Sequence, residues 1–285
     1  MNLNQSTASI FIPDDVPESE AISRTTHLGI GAHHDDLEFM ALHGIISCFG
    51  RDDRWFGGIT CADGAGGIRS GRYSTFTNEE MIILRREEQI NAARIGEYGF
   101  MAQLAYPSAE IRQSPRKNLV EDLSAIMLTA RPECVYTHNP ADRHDTHIAA
   151  AVAVIEAIRS MPPETRPSRV LGCEVWRGLD WMIDEDKTTL DVSGHDKLAE
   201  TLIKQFASQI EGGKNYDLAV DGRRRANATF SSPYSPDSAE KAWFAMDLTP
   251  LAENDELDPV QFTLDHVDRF RDDVETRLRK AVDKR

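Results

Sequence analysis

The chain has 285 residues, room for one large domain or two small ones and enough to bury a core without disulfide staples. Its 47 acidic against 32 basic side chains give a net charge of −15, which leaves no basic stripe for nucleic acid or for an anionic membrane surface. Apolar residues at 40 % and a mean hydropathy of −0.44 fit a folded soluble protein and exclude a disordered one.

The first twenty residues carry no basic n-region and no long apolar run, and no stretch approaches the length needed to span a bilayer. Cys48, Cys61, Cys134 and Cys173 are widely spaced with no C-x-x-C pair, the pattern of reduced, buried thiols in a cytoplasmic protein. Residues 1–25 read as a polar lead-in, and 26–285 as a single α/β domain. In chain order, His27–His33 reads as a buried strand, Leu37–Phe49 as a helix and Trp55–Cys61 as a second strand. A Gly-rich loop, residues 63–72, follows. It lacks the G-K-[ST] ending of a phosphate loop and reads either as a flexible active-site loop or as a plain surface loop. Thr77 and Glu80 form a capping box that opens a helix running to about Ile95, with Gly96 as its C-cap. Phe100–Tyr106 is a third strand, Leu119–Ala130 a helix and Cys134–Thr137 a fourth strand. Thr146–Arg159 is an Ala-rich helix stopped by Pro162 and Pro163, and Val170–Trp176 is a fifth strand. The alternation predicts a Rossmann-like, mostly parallel sheet with helices on both faces.

Beyond Trp176 the pattern loosens. Lys187–Val192 reads as a strand, Lys197–Ile210 as a helix, and 212–256 as an irregular segment of long loops with short strands, in which Arg223-Arg224-Arg225 is a solvated turn. Asp258-Pro259 opens a C-terminal helix over 259–284. Its Val260, Leu264, Val267, Phe270, Val274, Leu278 and Val282 recur at helical spacing. They read first as a face packed on its own domain and second as a contact in a homo-oligomer.

Two histidine clusters each follow a predicted strand. The first, Ala32–Glu38 (AHHDDLE), holds His33 and Asp36 three apart on the turn leaving the first strand, with Asp35 between them. Such a turn can aim His33 and Asp36 at one metal ion and Asp35 at a water beside it. Two adjacent aspartates after an apolar strand also call for a compensating dication. The competing reading is a helix N-cap by Asp35 or Asp36, and on this motif alone the two stand even. The second cluster follows the fourth strand. It places His144 and His147 three apart at a helix start, with His138 at the strand end as a second layer. Ligands in open parallel sheets bind outside the carboxyl ends of strands, so the clusters can converge. One carboxylate with two imidazoles and an open position is the pattern of a catalytic zinc.

At these residues the chain resembles the LmbE/PIG-L family of metal-dependent N-acetylglucosaminyl deacetylases. Ala32-His33-His34-Asp35-Asp36-Leu37-Glu38 is similar to the family's AHPDD-x-E, and His144-Asp145-Thr146-His147 to its H-P-D-H. Leu84-Arg85-Arg86-Glu87-Glu88 fits the R-x-x-E helix, with Ala92, Ala93 and Gly96 after it, and Ser208-Gln209 a late S-Q; the likeness spans roughly 26–210. The resemblance implies His33, Asp36 and His147 as metal ligands. It implies Asp35 as general base, His144 as general acid or oxyanion stabiliser, and Arg85 as a substrate contact. The implied metal is Zn²⁺, with another divalent ion such as Fe²⁺ as an alternative, and the implied substrate is a small N-acylated amino sugar or its conjugate. Three positions depart from the pattern. His34 replaces a proline, Thr146 replaces an aspartate, which leaves Asp142 or Asp145 to orient His144, and Tyr106-Pro107-Ser108 stands where an aspartate often grips sugar hydroxyls.

The chemistry expected is amide hydrolysis, with Arg69 and Arg72 of the Gly-rich loop as further groups reaching substrate. Trp176 through Trp181 follow the fifth strand and suit either sugar stacking or the core. The competing readings are a non-haem iron oxygenase with the same two histidines and one carboxylate, which usually sits on a β-rich fold, and a metal-binding module without catalysis.

Overall fold

The computed structural model describes residues 1–283. Along the chain run β1 (Ser9–Phe11), α1 (Glu18–Ser23), β2 (His27–Gly31), α2 (Asp36–Met40), α3 (Leu42–Cys48), β3 (Phe56–Ala62), α4 (Asn78–Ile95) and β4 (Phe100–Tyr106). Then come α5 (Ser108–Arg112), α6 (Lys117–Ala130), β5 (Cys134–His138), α7 (Asp145–Ser160), β6 (Arg169–Cys173) and β7 (Lys187–Asp191). The chain continues with α8 (Asp196–Ile203), α9 (Ala207–Ile210), α10 (Tyr216–Phe230), β8 (Ala242–Asp247), α11 (Thr249–Glu253) and α12 (Pro259–Val282).

The strands form one sheet in the order β1-β4-β3-β2-β5-β6-β8-β7. The inner run from β4 to β6 is parallel; β1 and β8 join its edges antiparallel, and β7 pairs antiparallel with β8. Chain order reverses between β2 and β5, so the crevice outside their carboxyl ends is the switch point of the sheet. β2 to β5 are buried along their whole length, as strands covered on both faces must be. Alternate residues feed two cores. Leu28, Ile30, Ile59, Leu104 and Val135 pack with Leu123, Ile126, Val154 and Ile158 of α6 and α7. Phe56, Met101, Tyr136 and Leu171 pack with Leu37, Ile45, Leu202 and Phe206 of α2, α3, α8 and the segment after α8. Burying each Leu, Ile or Phe contributes about 1.5–3 kcal/mol.

The expected alternation stands, and the differences have local causes. The lead-in is ordered: Ser9, Ile10 and Phe11 pair with Gln103, Ala102 and Met101, and Asn4 donates to Asp122 at 2.8 Å. The helix expected over Leu37–Phe49 breaks at Ala41 into α2 and α3. The strand expected to reach Trp176 ends at Cys173, because the Trp176 and Arg177 amides turn away to Asp142, the latter at 3.0 Å. The 212–256 segment is not irregular. It contains the 15-residue α10, and β8 inserts between β6 and β7. The Arg223–Arg225 turn is helical: Arg224 is 2 % exposed and donates to the Glu38 and Phe39 carbonyls.

Helix α12 starts where expected, with the Asp258 carboxylate accepting from the Val260 and Gln261 amides at 3.2 and 3.4 Å. Residue 284 of its expected range lies outside the described residues. Its apolar face is not packed on the domain. Val260, Leu264, Val267, Phe270, Val274, Leu278 and Val282 are 38–67 % exposed, and His266 is the buried residue of the helix. Among the described residues no helix is long and apolar enough to cross a membrane.

Candidate active site

The turn Ala32–Asp35 joins β2 to α2 at the switch point. Gly31 lets it close tightly: a Cβ there would lie 2.9 Å from the Asp36 Cβ. The His33 amide donates to Asp36 Oδ2 at 2.6 Å, which folds the Asp36 carboxylate back over the turn. Asp35 sits at the N-cap position with φ +86°, and its side chain makes no capping bond. The helix-cap reading of these aspartates therefore fails. A left-handed non-glycine residue costs of order 1–3 kcal/mol and persists where the surroundings impose it, as they do at functional sites.

Two distant histidines complete the arrangement. His33 Nδ1 lies 3.1 Å from His147 Nε2 and 3.5 Å from Asp36 Oδ2, and His147 Nε2 lies 3.4 Å from Asp36 Oδ1. Donors about 2.0–2.1 Å from a tetrahedral zinc stand about 3.3–3.4 Å apart, so the trio fits that ion's donor chemistry and spacing. Asp36 and His147 are buried, while the His33 side chain is 25 % exposed and faces the cavity. His147 Nδ1 is held by Asp142 Oδ2 at 3.0 Å, the carboxylate–histidine pairing that fixes a ligand's orientation. Asp142 thus orients His147, not His144. His144 is held by its own helix instead: its Nδ1 accepts from the Thr146 amide at 3.2 Å, which puts the proton of the neutral ring on Nε2.

His138 also stands close, with Nε2 3.1 Å from Asp36 Oδ2 and its ring stacked on His147 at 3.8 Å. Two overlapping donor groups are therefore present beside the trio, His33-His144-His147 and Asp36-His138-His147. His138 Nε2 accepts from the Ala32 amide at 2.9 Å and the residue is fully buried, so it supports the turn from behind while His33 faces the open side.

Burial alone would raise both aspartates. At Asp36 the neighbouring His147 and His138 override it and hold the carboxyl well below its ordinary range, as suits a ligand. At Asp35 burial is reinforced by the charges of Asp36 and Glu38 and opposed by Arg85, so its carboxyl is pushed well up. Burial lowers His34 to about 3 and His147 to about 4, so both rings are neutral. His34, in place of a proline, bonds Gln103 Oε1 through Nε2 at 3.0 Å.

These groups open into a cavity of about 730 Å³. Gly64, Gly66, Gly67 and Ile68 line it, so the Gly-rich loop forms part of the candidate site's wall. Arg85 lines it too and donates to the Gly64 carbonyl at 2.7 Å and to that of Gly66. Gly67, at φ +105°, has a backbone conformation that favours glycine, and a Cβ there would come 3.0 Å from the Arg85 guanidinium. Arg69 and Arg72 are placed elsewhere. Arg69 ties the loop to itself through the Ala65 and Phe76 carbonyls at 2.6 Å, Arg72 pairs with Glu211 at 2.9 Å, and neither lines the cavity. The late Ser208-Gln209 pair closes the floor: Ser208 binds Glu88 through its amide and hydroxyl at 2.7 and 2.6 Å, and Gln209 donates to the His34 carbonyl. Sequence reasoning missed Arg112, Lys214, Tyr216 and Arg223 on the cavity wall, for no motif marks them. Trp176 lies on the wall at 38 % exposure, 6.0 Å edge-on to Tyr216.

Residues 28–158 match the family model described as PIG-L, GlcNAc-PI de-N-acetylase. That span contains His33, Asp35, Asp36, Arg85, His144 and His147, so the resemblance read from the motifs holds there. No curated protein matches the chain. Among solved structures, 4-carboxy-2-hydroxymuconate hydratase from Pseudomonas putida is 19 % identical over 79 % of this chain and 96 % of its own, with TM-score 0.61. N,N'-diacetylchitobiose deacetylase from Pyrococcus horikoshii is 16 % identical over 81 % and 86 %, with TM-score 0.62. The A40926 pseudoaglycone deacetylase is 17 % identical over 79 % and 97 %, with TM-score 0.57. At these identities the likeness is one of fold, and it embraces a hydratase as well as deacetylases. The reaction must be argued from the site.

Proposed function

From the PIG-L match over residues 28–158 as premise, we propose that this chain is a metal-dependent amidohydrolase. It removes an acetyl or similar acyl group from an N-acylated amino sugar or its conjugate. The observation that carries the reading is the trio His33, Asp36 and His147, with donors 3.1–3.5 Å apart, beside the buried carboxylate of Asp35. The trio would hold one divalent ion; zinc suits two imidazoles and a carboxylate, and Fe²⁺ is compatible with the same donors. When bound, such an ion supplies a water of lowered pKa and a Lewis acid for the acyl oxygen.

The chain's own groups do the rest. Asp35, buried in the cavity wall next to Asp36, takes the proton of the attacking water. His144, its ring 4.8 and 4.7 Å from those of His33 and His147, hydrogen-bonds the developing oxyanion through Nε2–H, and Asp35 passes the proton it took from water to the departing amine. Arg85 and the loop it pins, with Trp176 and Tyr216, form the walls that position substrate and exclude water. The mostly parallel sheet disfavours the oxygenase reading. Four buried, unpaired cysteines support a cytoplasmic setting.

The test is a panel of N-acetylated amino sugars and their conjugates given to the protein after chelation and after zinc reloading, with free amine and dissolved oxygen both followed. Metal-dependent amine release without oxygen uptake supports the proposal. Oxygen uptake, hydration of an unsaturated acid without amine release, or no turnover by the fully loaded protein overturns it.

A further inference from the structure

The charge of the cavity wall runs against that of the molecule. With 47 acidic and 32 basic side chains, an arbitrary patch of this surface is acidic. The cavity lining instead holds Arg85, Arg112, Lys214 and Arg223, and its carboxylates are Asp35 and Asp36, both at the proposed metal position. Among the described residues none of these four cations has a carboxylate within 4.0 Å. Their bonds go to neutral acceptors. Arg85 donates to the Gly64 and Gly66 carbonyls, Arg112 to Thr146 Oγ1 at 3.0 Å, and Arg223 to the Val175 carbonyl. The Lys214 ammonium rests over the Trp176 ring at 5.3 Å. Arg112 is thereby fixed beside the residue preceding His147, and Lys214 and Arg223 stand on the Trp176 side.

We infer that the substrate carries, away from its acyl amide, a carboxylate or phosphate that Arg112, Lys214 and Arg223 hold. The inference rests on the amidohydrolase reading for the word substrate, but its physical content is binding. Unpaired cations in a concave, partly desolvated wall attract an anion more strongly than cations on an open surface do. In a molecule of net charge −15 they also confine that attraction to the site. A neutral saccharide would leave Arg112, Lys214 and Arg223 without an anionic partner within ion-pair distance.

Calorimetry on the zinc-loaded protein with N-acetylglucosamine, N-acetylglucosamine 6-phosphate and N-acetylmuramic acid tests it without relying on turnover. At least one anionic sugar is expected to bind about tenfold or more tighter than the neutral one. The preference should shrink as salt is raised and collapse toward unity in Arg112→Gln/Arg223→Gln. Which of the two anions wins separates phosphate from carboxylate. Equal affinities for all three sugars, or a preference untouched by the double variant, overturn the inference. Amine release without anion preference sinks this inference and leaves the hydrolase reading standing; anion preference without turnover does the reverse.

A second observation, independent of the cavity, concerns α12. Its seven exposed apolar side chains fall within one arc of about 120° at 100° per residue, wide enough for a packing face. We propose that this face pairs antiparallel with the same face of a second copy of the chain. Seven such side chains along one 24-residue helix give each copy a continuous apolar face, which a two-fold pairing would match to itself. Charge sets the direction. The half up to Phe270 carries Asp265 and Asp268 against Arg269, a net −1, and the half from Arg271 carries Arg271, Arg277, Arg279 and Lys280 against Asp272, Asp273 and Glu275, a net +1. Antiparallel pairing brings unlike ends together, whereas parallel pairing stacks like ends. Sedimentation of the full chain should show a concentration-dependent dimer. Val267→Asp/Val274→Asp, at exposed positions, should weaken it tenfold or more with the circular dichroism spectrum retained, and Arg279→Glu/Lys280→Glu should weaken it too. A monomer at about 100 µM, or a dimer indifferent to the first pair, contradicts the interface. Indifference to the second pair contradicts its direction.

Discussion

Asp35 and Asp36 are chemically alike and adjacent, yet one turn gives them opposite surroundings. Asp36 accepts from the His33 amide and faces two imidazoles, whereas Asp35, in a left-handed backbone conformation, faces the cavity. Asp36→Ala should therefore abolish stoichiometric metal binding, measured as metal per chain after dialysis. Asp142→Asn should be milder, because it removes only the acceptor that orients His147; loss of such a partner costs about 10–100-fold in metal affinity. The meeting of the two histidine clusters was legible because both sit at strand ends, where a parallel sheet gathers ligands, whereas the choice of His33, Asp36 and His147 as ligands came from the motif resemblance. Asp142 was not assignable from sequence. Asp142 and Asp145 both neighbour His144, and only the course of the loop puts Asp142 on the far nitrogen of His147.

At the scale of elements, local signals were read where the backbone itself carries them. The α4 capping box is present, with the Thr77 hydroxyl accepting from the Glu80 amide at 3.2 Å and the Glu80 carboxylate from the Thr77 amide at 2.8 Å. Thr77→Ala should cost about 1 kcal/mol, read from the denaturant midpoint at unchanged slope. Helix α10 escaped because its inward face is polar. Arg224 reaches the carbonyls of α2 and Asn227 reaches Glu174, so apolar periodicity has little to register. For α12 the opposite holds. Its apolar stripe marked a helix correctly, but amphipathicity states that a face needs a partner without saying which, and the domain does not cover it. The Gly-rich loop was ambiguous for a similar reason: its role comes from Arg85, reaching across from α4 to its carbonyls.

Across the whole molecule, buried imidazoles stand at both ends of the sheet. The carboxyl end of β2 holds the proposed metal ligands, and its amino end holds His27, a buried imidazole next to Thr26 and stacked on Tyr136. Burial, with Arg54 and His43 adding to it, lowers His27 to about 4 from an ordinary 6.5. Because the folded value is the lower one, the unfolded chain binds more protons between these pH values. Stability should fall as pH drops from about 6.5 to about 4, by at most about 3 kcal/mol at 1.36 kcal/mol per unit. His27→Gln should flatten that limb of a denaturation series. The same sheet also gives the account its sharpest test, since it brings residues 33–36 and 144–147 to one crevice. The decisive measurement is the rate of amine release by Asp35→Asn and by the unaltered protein at matched zinc content, about one ion per chain. A drop of about 10²–10⁴-fold, with metal retained, is what a general base beside the metal trio requires. An unaltered rate in the variant, or loss of the metal with it, would contradict the division of work between the two aspartates.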